Sequence, residues 1–97
     1  MKVFISQPMN GKTDEEIRTE REVAIAKVKS AQPDSPVEIL DTFFTDYNGN
    51  AVQFLGKSIM KLGEADVAVF APGWEDARGC RNEQRIAVDY GITCLYL

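Results

Sequence analysis

The chain has 97 residues, 44% hydrophobic and 27% charged, which suits one hydrophobic core and leaves no room for a second. No stretch approaches the ~20 apolar residues that cross a bilayer, so a soluble domain is expected. A net charge of −4 without any basic run gives no electrostatic footprint for a nucleic-acid polymer or an anionic membrane, although a small anionic ligand stays open.

Lys2 to Ile5 reads as a first strand, too short in apolar residues for a secretory signal and closed by the turn formers of Ser6-Gln7-Pro8-Met9-Asn10-Gly11-Lys12. Thr13 and Glu16 fit a capping box, ahead of Ile17, Ala24, Val28 and Ala31 at helical spacing. Pro33 and Pro36 stop that helix, and Val37 to Leu40 supplies a second strand. Asp41 to Asn50, with three aromatics, reads as an irregular crossing loop. Val52, Leu55, Ile59 and Leu62 then mark a second helix with Gly63 at its C-cap.

Val67-Ala68-Val69-Phe70 is apolar on both faces, as a central parallel strand covered by helices must be. Pro72-Gly73-Trp74 ends it. A third helix is expected from near Gly79 or Cys80 to Gly91, and Ile92 to Leu97 forms the last strand. This alternation, without hairpin signals, predicts one α/β domain over residues 1–97. Its core is a doubly wound parallel sheet of four strands in the order 2-1-3-4, with helices on both faces. Such sheets bind ligands beyond the strand C-termini, which points to Ser6 to Lys12, Asp41 to Asn50 and Ala71 to Glu83.

The chain lacks histidine, which removes Ser-His-Asp and Cys-His catalysis and histidine-ligated zinc. Neither the glycine-rich dinucleotide fingerprint nor the phosphate-binding P-loop occurs. Cys80 and Cys94 have no metal-ligand spacing, and so few cysteines in a small domain place it in a reducing cytoplasm. Cys80 could be a nucleophile of the C-x5-R type, but the arginine position is Ile86, so a buried, inert thiol is expected.

What remains is Glu83, at the start of the third helix beside the central strand. Cys80, Glu83, Ala87 and Tyr90 are spaced 3, 4 and 3, so they share a face that should meet the sheet. The positive end of the helix is expected to keep the carboxylate ionised, as a nucleophile or electrostatic stabiliser. A residue that merely serves the helix dipole would look the same in the sequence.

Val3-Phe4-Ile5-Ser6-Gln7-Pro8, Ala65-Asp66-Val67-Ala68-Val69 and Trp74-x-x-Ala77-x-Gly79-Cys80-x-x-Glu83-x-x-x-Ala87 resemble the nucleoside 2-deoxyribosyltransferase superfamily, most closely its small phage and bacterial members. The resemblance covers nearly the whole chain and implies a flavodoxin-like fold. It also implies that Glu83 attacks the anomeric carbon of a nucleoside or nucleotide, displaces the base and forms a glycosyl-enzyme, chemistry akin to that of retaining glycosidases. Three positions depart from the family: its strand-one tyrosine is Phe4, its helix-two aspartate is Ser58, and its serine before the glycine is Ala77. Asp41, Asp46, Glu75 and Asp76 are the carboxylates available to help Glu83 instead.

Residues and resemblance together mark Ser6, Gln7, Pro8, Ser58, Trp74 and Gly79 as substrate-binding, with Trp74 stacking on a base and Asn10 beside the turn polar groups. Lys12 and Arg78 are candidates for a phosphate. The expected function is transfer or hydrolysis at an N-glycosidic bond, without metal or cofactor. A non-catalytic nucleotide-binding module, an enzyme of the NAD-glycohydrolase kind and a structural or interaction domain are the alternatives. The resemblance also implies a homodimer or larger oligomer.

Overall fold

The computed structural model describes residues 1–97. Its elements are β1 (Lys2–Ser6), α1 (Asp14–Ala31), β2 (Glu38–Ile39), α2 (Ala51–Leu62), β3 (Val67–Phe70), a 3-10 turn (Trp74–Asp76), α3 (Arg78–Asp89) and β4 (Thr93–Tyr96). All four strands are parallel, in the order β2-β1-β3-β4, as the alternation predicts. No helix is long and apolar enough to cross a membrane.

Strand alternation divides the core in two. Val3, Ile5, Val67 and Val69 face Ala24 and Val28 of α1, while Phe4, Ala68 and Phe70 face Leu62 of α2 and Ala87 of α3. One helix therefore covers one face and two cover the other. The central strands are buried on both sides, whereas β4 at the edge is mostly exposed, with Leu95 44% accessible.

Local chemistry sets the helix boundaries. Thr13 and Glu16 form the expected capping box on α1. Asn50 and Gln53 form a second one on α2, which the hydrophobic spacing alone did not reveal. Gly63 caps α2 in a right-handed conformation. Gly73, at φ 87°, makes the left-handed turn into the 3-10 segment, a conformation that side chains rarely adopt.

Three expectations are corrected. The second strand keeps only two ladder residues, Glu38 and Ile39, although the buried Leu40 still donates its backbone N–H to the Val3 carbonyl at 2.9 Å. α3 begins at Arg78 and ends at Asp89, so Tyr90 lies past the last turn and is 80% exposed instead of facing the sheet. Ala31, in the last turn of α1, is also exposed.

Arg21 of α1 ties the strand ends together. Its guanidinium donates to the Leu40 carbonyl at 2.8 Å, to Thr42 Oγ1 at 3.1 Å and to Gln7 Oε1 at 3.4 Å. Thr42 in turn donates to the Ile5 carbonyl at 3.1 Å, and Gln7 Nε2 donates to the Ile17 carbonyl at 3.0 Å. Burial lowers the Arg21 pKa from its ordinary value, and the nearby Asp41 opposes that shift. Replacing Arg21 by Met leaves these acceptors without their donor and is expected to cost ~1–3 kcal/mol in urea denaturation. The exposed Lys29→Met is expected to stay within about 0.5 kcal/mol of the parent.

Candidate functional site

A cleft of about 1210 Å³ opens beyond the C-terminal ends of β1 and β3. The loop after β1, the segment from Thr42 to Phe44, and the stretch from Gly73 to Glu83 all contribute walls, as expected for such a sheet. The N-terminal half of α2 adds a further wall through Phe54, Leu55 and Ser58.

Glu83 lies in the cleft wall and is only 8% exposed. Ser6, the last residue of β1, donates its hydroxyl proton to Glu83 Oε1 at 2.7 Å. No lysine or arginine pairs with this carboxylate. Burial therefore dominates and pushes its pKa up to about 7, while the hydroxyls of Ser6 and Ser58 act in the opposite direction. Only the Ser6 contact has full hydrogen-bond geometry.

The expectation that the helix terminus keeps Glu83 fully ionised is not met, because at a pKa of about 7 the carboxyl is partly protonated near neutral pH. With α3 starting at Arg78, Glu83 is past the first turn, where the field of the helix end has faded. Desolvation is the larger effect. Cys80 is buried beside it, and burial together with the Glu83 charge raises the thiol to about 11, against the counteracting Ser6 hydroxyl. It is thus a protonated thiol at neutral pH, and both cysteines are free.

The remaining marked residues separate into those at the cleft and those away from it. Ser6, Gln7, Pro8, Ser58 and Gly79 line it. Gln7 is nevertheless engaged at both ends of its amide by Ile17 and Arg21, so it braces the wall. A Cβ on Gly79 would meet nothing within 4 Å, so this turn of α3 is open to a ligand. Asn10, Asp76 and Arg78 also line the cleft, but Asp41, Asp46, Glu75 and Lys12 do not. Lys12 is paired with Glu20 at 2.7 Å.

Trp74 is the clear correction. It does not line the cleft. Its ring packs 5.5 Å from Phe70 and 5.3 Å from Tyr96, filling the space between β3, β4 and the 3-10 turn. The aromatic walls are instead Phe43, Phe44 and Phe54. The first two stand in the aromatic-rich loop visible in the sequence, but nothing there shows which way the rings turn.

The fold and site define a class: a doubly wound α/β domain whose cleft is built around one buried, unpaired carboxylate. No protein-family model, no curated protein and no solved structure matches the chain.

A raised pKa has a definite thermodynamic sign. Below the unfolded value near 4.5, Glu83 is protonated in both states and costs nothing; between about 4.5 and 7 the unfolded chain ionises while the folded state holds its proton, so stability falls across that window and levels off above about 7. The loss amounts to ~3 kcal/mol once ionisation is complete. Glu83→Gln is accordingly expected to be more stable than the parent at pH 8, with the gap closing towards pH 4.5. Thermal melts of both proteins across that range check this.

Proposed function

We propose that the protein acts on the N-glycosidic bond of a nucleoside or nucleotide, with Glu83 as nucleophile. The observation that carries this reading is the Glu83 carboxylate itself, held by Ser6 in the cleft wall without a cation to neutralise it. A carboxylate paired for stability alone would have a basic partner. This one is kept in place at a cost to the fold, which is the usual bargain at a reactive site.

In the reaction, a Glu83 oxygen bonds to the anomeric carbon as the carbon–nitrogen bond breaks, and the departing base keeps the bonding electrons. The base nitrogen takes its proton from water in the open cleft. The hydroxide so left takes a proton from a second water or from the N–H of a second base, whose oxygen or nitrogen attacks the same carbon as the ester carbon–oxygen bond breaks and the carboxylate is freed. The resemblance in the Gly79-to-Glu83 stretch supports the same assignment.

Incubation with a panel of nucleosides, deoxynucleotides and NAD, followed by chromatography of free base, tests the reading. Deoxynucleosides or deoxynucleotides are expected to release base with the parent protein, and Glu83→Gln is expected to bind them without release. Because the nucleophile must be ionised, the rate of bond cleavage should climb with pH and level off above about 7. Equal release by both proteins removes Glu83 from the mechanism.

A non-catalytic nucleotide-binding module is the second reading, favoured by the absence of a second carboxylate beside Glu83: Phe4 offers no hydroxyl, and the adjoining α2 position is Ser58. Thermal stabilisation by a nucleotide without base release would select it.

The catalytic reading also carries self-association. Val52 lines the cleft yet is 77% exposed, and Met60 on the same helix is equally exposed, so α2 offers apolar surface from which a second copy could complete the walls. Light scattering at micromolar concentration is expected to show a dimer or larger, and a monomer would count against it.

A further inference from the structure

β4 is an edge strand: β3 pairs with it on one flank, and the sheet order places nothing on the other. Leu97 donates its N–H to the Phe70 carbonyl at 2.9 Å, and backbone groups alternate in direction along a strand, so those of Cys94 and Tyr96 point to the open flank. The side chains leave the same flank bare. Leu95 is in register with Val69, on the face that α1 covers, yet the cluster under α1 holds residues of β1 and β3 and none of β4. Leu95 and Leu97 are accordingly 44% and 38% exposed.

Sheets usually blunt an open edge with proline, charge or a bulge. Tyr90 to Leu97 carries neither proline nor charge, in a chain that is 27% charged, and its pairing with β3 runs without a bulge. The opposite edge is protected. β2 has only two ladder residues, one of them the exposed Glu38, and Pro36 stands just before it. A second β4 therefore fits this edge better than a partner's β2 does, and it closes the assembly where β2 would leave an open stack.

We propose that β4 pairs with the β4 of a second copy, antiparallel about a twofold axis at Leu95, joining the two sheets into one. In this register Cys94 and the partner's Tyr96 exchange N–H···O bonds, so every outward backbone group of both residues is satisfied. Leu95 lies against the partner's Leu95. An axis at Cys94 would instead call on the Ile92 N–H, which the Ala87 carbonyl already holds at 2.8 Å. The charges suit the same axis. Gln84 bonds to Tyr96 while Ala87 bonds to Ile92, so α3 runs opposite to β4, and the twofold sets the end of α3 with Arg81 and Arg85 towards the partner's Asp89. Val88, one turn on from Gln84 and 55% exposed, comes to the seam as well. β4 contributes nothing to the cleft walls, so this interface is separate from the α2 surface and stands whether or not Glu83 is catalytic.

Amide hydrogen exchange of the parent protein, read by NMR, tests the pairing directly. The Cys94 and Tyr96 amides should exchange slowly at submillimolar concentration and about tenfold faster on dilution. Leu95→Lys should free both amides with far-UV circular dichroism unchanged, whereas Met60→Lys on α2 should leave their protection intact. Cross-linking tests the register. In a Cys94→Ala background, Leu95→Cys should oxidise to a covalent dimer, because residues on the axis have Cα atoms only about 4.5 Å apart. Thr93→Cys in the same background, roughly 14 Å from its counterpart, should not. Fast exchange of both amides at high concentration, protection lost with Met60→Lys but kept with Leu95→Lys, or equal cross-linking at positions 93 and 95 would each overturn the proposal.

Discussion

The hydrogen bond from Ser6 to Glu83 joins the end of the first strand to the last helix, residues 77 apart in the chain. The site depends on it because a buried carboxylate without a cation needs some polar partner to stay where it is. That partner can exist only if β1 and α3 are both in place. β1 is fixed by pairing with β2 and β3, and α3 by the packing of Ala87 against the core that contains Phe4 and Phe70. The acid and the fold are therefore coupled: the sheet is what makes Glu83 dry, and its dryness is what raises its proton affinity.

The unequal layering of the sheet determines where the cleft opens. α1 alone covers the face made by Val3, Ile5, Val67 and Val69, while α2 and α3 share the other. At the C-terminal ends of the strands, α2 and α3 bring Ser58 and Glu83 to one cavity, and the loop from Thr42 to Phe44 crosses beside them. Arg21 holds that crossing by reaching from α1 to Leu40, Thr42 and Gln7. A helix on one face thus braces a site that is formed largely by helices on the other.

Aromatic residues do two jobs in this domain. Phe70, Trp74 and Tyr96 lie within 5.3–5.5 Å of one another and fill the gap beside the edge strand, where only one flank is paired. Phe43, Phe44 and Phe54 face the cavity. The lone tryptophan looks like the natural stacking residue in the sequence because it follows the central strand. Its ring is drawn instead to the apolar surface left by the edge strand, which offers more contact than the open cleft.

The amino-acid sequence determined the strand–helix alternation, the parallel sheet order and the shared face of Cys80, Glu83 and Ala87, because hydrophobic period and turn chemistry are local properties of the chain. It also marked the three segments that converge on the cleft. Tertiary structure alone decided that the second strand is only two residues long, that Tyr90 is exposed, that Trp74 packs away from the cavity and that the phenylalanines line it. It decided the proton affinity of Glu83 as well. Desolvation is imposed by atoms that other segments bring around a group, so spacing along the chain can place a carboxylate on a helix face but cannot say how much water it retains.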